Sequence, residues 1–191
     1  MLILVLGLIL FFGPHSLKML VPGYRIAFIE KRGEGPWKGM VAISSVIGIG
    51  FMIWGWMSYR WQAPDIYMPP DWGVHVTAVL NFVGLVLLAV SGGPVGRIKA
   101  IVVHPMSLGI AAWGIGHLFS NGDLASILLF GVWSLYALAA ALVATLRGDP
   151  KPQFESAKSD IGGIIGALVI YLVMVFFLHG FLFASTPPVI S

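Results

Sequence analysis

The chain has 191 residues, 58% of them hydrophobic and only 10% charged, with a mean hydropathy of +0.93. So little charge does not cover the surface of a water-soluble domain of this size, which excludes a soluble enzyme. The formal charge of +3 lies in short segments between apolar runs, the mark of membrane topology and not of nucleic-acid binding; the lack of cysteine removes disulfides, thiolate metal sites, c-type haem attachment and cysteine nucleophiles.

Apolar runs of about 18 residues or more predict membrane spans, because about 20 helical residues cross the ~30 Å of hydrocarbon. The first run, 1–20, lacks the basic start and small-residue cleavage site of a signal peptide, so it is read as a span. Residues 21–36 mix Tyr24, Phe28 and Ile29 with Arg25, Lys31 and Arg32, the composition of a surface helix or of an extension of span one. Span two covers 37–59. Segment 60–72 carries Pro64, Pro69 and Pro70 with Asp65 and Asp71, which predicts an ordered non-helical cap. Spans three to five cover 73–92, 98–119 and 123–146, a polar loop fills 148–158, and span six covers 160–183. The expected fold is an all-α membrane protein, a bundle of about six transmembrane helices forming a single domain over 1–191.

Charge predicts the orientation. Lys18, Arg25, Lys31, Arg32 and Lys38 lie between spans one and two, Arg97 and Lys99 between three and four, and Arg147, Lys151 and Lys158 between five and six. The opposite side has only Arg60. The positive-inside rule puts those three loops in the cytoplasm and both termini outward. Glycines recur within the spans, at 48, 50, 109, 114, 116, 162, 163 and 166. They predict close helix packing, with room for a flat cofactor against span four as the sharper alternative.

The chemistry rests on five histidines, His15, His75, His104, His117 and His179, all within or at the ends of spans. Ionisable groups in a bilayer are costly, and imidazole is a common metal ligand and a usual axial ligand of haem iron. A helix-bundle core is a normal place for such a cofactor. By depth, His15 and His104 belong to the cytoplasmic half, and His75, His117 and His179 to the outer half. His104 and His117 are separated by about 20 Å along a helix and about 140° around it, so one haem does not use both. Same-depth pairing joins His15 to His104, and His117 to His179 or His75, with one or two haems. Trp113, one turn before His117, is placed to wall a ring, and Asn81 to hydrogen-bond a histidine or backbone. Carboxylates are confined to the loops, which argues against a paired-carboxylate or di-iron centre in the core. Ser44 and Ser45 lack a carboxylate–histidine arrangement for nucleophilic hydrolysis.

Phe11-Phe12-Gly13-Pro14-His15-Ser16-Leu17, His104-Pro105 with Gly109, Trp113, His117 and Asn121-Gly122, and then His179 with Phe183 and Pro187, resemble the NnrU family over nearly the whole chain. That family is named from bacterial denitrification, where its members accompany nitrite and nitric oxide reduction, and the 15-cis-zeta-carotene isomerase is its relative. The resemblance implies a multi-pass protein of the bacterial inner membrane that binds haem b. It further implies redox-gated cis–trans isomerisation of an apolar polyene, or else a non-enzymatic electron carrier or maturation factor working with denitrification proteins. It implies axial ligation by His15 and His117, where the depth reading prefers His104 or His179 as partner. His104-Pro105 with Gly109 is also similar to the Arg-His-Pro-x-x-x-Gly element of isoprenylcysteine methyltransferases and sterol reductases. That likeness implies a cofactor-dependent transferase, although Val103 replaces the arginine and Ser107 the tyrosine. Pro105 also suits the first turn of a helix with His104 at its mouth.

Overall fold

Side chains that are apolar on every face make a helix at home in lipid, since only there is no face forced toward water. Five helices among the described residues have the length and composition to cross a membrane: Leu2–Leu20 (α1), Glu34–Tyr59 (α3), Gly73–Ser91 (α4), Leu124–Leu146 (α7) and Lys158–Phe183. The structure is a computed structural model that describes residues 1–183; Pro187 and the C-terminus lie outside the described residues. Shorter helices are Pro22–Arg32 (α2), Arg97–Val102 (α5) and Pro105–Leu118 (α6). The last long helix comprises Lys158–Val173 (α8), a π-helical turn Met174–Leu178 and His179–Phe183 (α9). The protein is therefore all-α and multi-pass.

The chain divides into two compact units, Met1–Pro64 with Asp123–Val132, and Asp65–Gly122 with Trp133–Ser191. In the first, α1 and α3 pack antiparallel at glycines that let their backbones touch. A methyl group on Gly7 would stand 2.6 Å from Met52 N, and one on Gly48 would stand 2.8 Å from Phe11 N. Trp56 donates from Nε1 to Ser126 Oγ at 3.1 Å, which satisfies two buried polar atoms at once. Just past α3, the Arg60 guanidinium lies over the rings of Trp56 (4.2 Å) and Trp61 (4.4 Å). Burial lowers its pKa below the ordinary value, and the charge of Asp123 opposes that shift. α2 is a helix of its own: Pro22 starts it, and Gly33 at φ 86 ends it, a conformation that a side chain would disfavour.

In the second unit α4 and α6 run antiparallel. Thr77 Oγ1 lies 2.7 Å from Gly116 O and 2.5 Å from Ser120 Oγ at one end, and Gly84 meets Gly109 farther along. Span four, expected as one helix over 98–119, is broken. Val103 takes φ 63, an unusual value for a β-branched residue, and Pro105 supplies no N–H. The chain therefore makes the six-residue α5, breaks at Val103–His104, and restarts as α6 with Pro105 in its first turn. Segment 60–72 is ordered and non-helical, as expected. Ile66 N–H donates to Gly122 O (2.9 Å), and Tyr67 Oη donates to Asn121 O (3.0 Å).

A six-residue helix does not hold itself together. α5 is held by Asp160 of α8, whose carboxylate accepts Arg97 N–H at 2.7 Å and Ile98 N–H at 3.2 Å. Ser159 Oγ adds a bond to Pro94 O at 2.7 Å. Asp160→Ala removes both acceptors, and the expected cost is about 1–2 kcal/mol, the scale of a lost N-cap. Thermal unfolding followed by tryptophan fluorescence reads it, with Asp160→Asn falling between the two because it keeps one acceptor.

Candidate histidine site

His15 belongs to the first unit, and His75, His104, His117 and His179 belong to the second. Among the described residues no three His, Asp or Glu side chains gather as a protein-only metal site. A haem asks for less, namely one or two axial nitrogens.

His117 stands in the last turn of α6, half-buried. Its Nδ1 donates to Trp113 O at 2.8 Å, and this fixes the tautomer, so that the lone pair is on Nε2. Metal-ligating histidines are commonly prepared in this way, because a second bond holds the ring and raises its basicity. The Trp113 ring lies beside the imidazole, centroids 5.0 Å apart, and Trp133 packs edge-on against Trp113 at 6.1 Å. Asn121 Nδ2 donates to His117 O at 2.8 Å and closes the end of the helix.

His15 is prepared identically in α1. Its Nδ1 donates to Phe11 O at 2.7 Å, and its ring stacks on Phe11 at 4.5 Å and 12°. Pro14, just before it, has no N–H to offer the carbonyl of Leu10 four residues earlier. Ser44 Oγ of α3 donates to that carbonyl instead. Ser44 thus has a structural task that the sequence did not disclose: it satisfies the backbone that the proline leaves open beside His15.

His104 is different. Thr145 donates its hydroxyl hydrogen to Ala141 O at 2.9 Å, so its oxygen accepts from His104 Nε2–H at 3.1 Å. The His104 lone pair therefore lies on Nδ1. His104 and His117 stand at opposite ends of α6, so the structure does not bring them together. His75 sits exposed in the first turn of α4. His179 opens α9 directly after the π turn, its ring 5.2 Å from Phe183. It lies near enough to His117 for a charge on one to act on the other.

Gly109 and Gly116 make the close helix packing expected of them, because a methyl group on Gly109 would stand 2.8 Å from Gly84 O and one on Gly116 would stand 2.9 Å from Asn81 Oδ1. Asn81 Oδ1 is buried without a hydrogen-bond partner among the described residues, so the bond expected of it to a histidine or backbone is not made there. Of the other glycines, Gly163 packs against Val90, whereas Gly50, Gly162 and Gly166 face open space. The Trp133 and Thr145 contacts, and the wide turn before His179, were not readable beforehand.

No curated protein and no solved structure matches this chain. The sequence profile of the NnrU protein family matches residues 3–187, nearly the full length, and the chain belongs to that family.

Proposed function

We propose that this NnrU-family protein binds haem b in the membrane, with the His117 imidazole as an axial ligand. The observation that carries this reading is the Nδ1–H bond to Trp113 O, which fixes the ring in the tautomer whose basic nitrogen is Nε2. The residues fit the group. The donor is a half-buried imidazole in an apolar helix, its orientation is set by backbone, and the broad ring of Trp113 stands next to it. His15 carries the same preparation and is the second ligand-grade imidazole. The ratio of haem to chain tells whether these two serve one haem or two.

When bound, haem supplies a redox-active iron centre, suited either to isomerisation of an apolar polyene or to electron carriage beside denitrification proteins. The protein's part is to hold imidazoles in one tautomer, to exclude water, and to keep carboxylates away from the site. The setting we infer is the bacterial inner membrane, with six crossings and both termini outward. Support for the sixth crossing comes from α6, which runs along α4 from the level of Leu87 to that of Gly73 although it is only 14 residues long.

The test is a pyridine haemochrome assay on detergent-purified protein from haem-replete cells. A Soret band and at least one haem b per chain are expected. Colourless protein of normal fold sinks the reading.

A further inference from the structure

A groove of about 340 Å³ runs along the second unit, lined by Phe82, Val83, Val86 and Leu87 of α4, Ile98 of α5 and Ile164 of α8. Its size is within the range of small-molecule sites, and every lining side chain is apolar. Val83 and Ile164 remain 41% and 40% exposed, so the groove is open to whatever surrounds the helices, which for spanning segments is lipid. The lining residues of α4 cover about 8 Å of helix axis and lead toward its α5 end.

Charge says what the occupant carries. Ile98, at one end of the lining, is flanked in α5 by Arg97 and Lys99, and Lys158 begins α8 nearby. Arg97 is exposed, with its guanidinium 5.7 Å from the Phe154 ring, and Lys99 Nζ donates only to Gly93 O at 3.3 Å. Among the described residues neither cation lies within ion-pair distance of a carboxylate. The nearby acids are Glu155 and Asp160, and Asp160 already accepts the N–H groups of Arg97 and Ile98. An apolar slot that ends on a helix carrying two cations outside any ion pair is complementary to a molecule with an apolar chain and an anionic head.

We propose that this groove holds one acyl chain of an anionic phospholipid from the leaflet that α5 faces, with the lipid phosphate at Arg97 and Lys99. The site is separate from the histidines and does not depend on haem.

Native mass spectrometry of the full chain, equilibrated in mixed micelles of phosphatidylglycerol and phosphatidylcholine, tests it. The protein is expected to retain one phosphatidylglycerol with roughly thirtyfold preference, the scale set by two basic side chains at a membrane surface. Arg97→Gln with Lys99→Gln should abolish the preference, and Ile164→Trp, at an exposed position that tolerates bulk, should displace the lipid. Arg25→Gln with Lys31→Gln removes the same charge from α2 and should change nothing. An equal loss in both double variants would mean general surface electrostatics and would overturn the proposal. Unaltered retention in Ile164→Trp would also overturn it, since the chain would then lie elsewhere.

Discussion

Gly109→Val is expected to lower the melting temperature by about 10 °C, the shift that corresponds to about 3 kcal/mol in a chain of this length. The contact between α4 and α6 is reciprocal. A methyl group on Gly109 would stand 2.8 Å from Gly84 O, and one on Gly84 would stand 2.8 Å from Gly109 O. Both obstacles are backbone, which does not swing aside as a side-chain end does. Leu87 Cβ at 3.1 Å and Leu88 Cγ at 3.2 Å close the remaining space around Gly109. A β-branched residue therefore parts the two helices, and parting them stretches the Thr77 bonds to Gly116 O and Ser120. Gly166→Ala in α8 is the control: the added methyl meets nothing within 4 Å, and alanine favours helix by up to about 1 kcal/mol. Unfolding followed by circular dichroism should separate the two variants clearly. Equal melting temperatures would remove the α4–α6 crossing from the fold.

The second large effect is on the cofactor. His117→Ala should leave purified protein with less than about a tenth of the parent's haem if His15 and His117 serve one haem, and with about half if they serve two, because it removes an imidazole whose other nitrogen is fixed by backbone. His104→Ala should keep its haem, since Nε2 of His104 is engaged with Thr145 Oγ1 and its basic nitrogen, Nδ1, is crowded by the residue's own backbone. Imidazole added to His117→Gly should restore the Soret band if the lost group was a ligand, and should do nothing if the loss was structural. Should His104→Ala lose haem while His117→Ala keeps it, the assignment by tautomer is wrong.

Sequence reasoning reached the membrane class, five of the six spans to within a few residues and the ordered proline-rich cap, because hydropathy and proline act locally. It drew 98–119 as a single helix, since Ile101, Val102 and Val103 continue the apolar run without interruption. Only the backbone shows that Val103 turns to positive φ ahead of His104-Pro105. The histidines stood out by scarcity in an apolar chain, but their tautomers did not. Those depend on which carbonyl or hydroxyl lies within 3 Å, as Trp113 O does for His117 and Thr145 Oγ1 for His104. The partnership of Ser44 with the carbonyl left open by Pro14 joins positions 34 residues apart and has no trace in local pattern.

The wide turn at Met174–Leu178 carries one residue more than an α-helix needs for the same rise. Deleting any one of its five positions restores ordinary winding at nearly the same rise, so α8 up to its buried Ala167 and the five residues of α9 both keep their places. The turn takes up a surplus residue that in regular winding would have carried His179 about 100° around the axis. The compass bearing of that ring is thus insulated from chain length at this one point: shortening the turn by one residue would leave it facing the same quarter of the membrane.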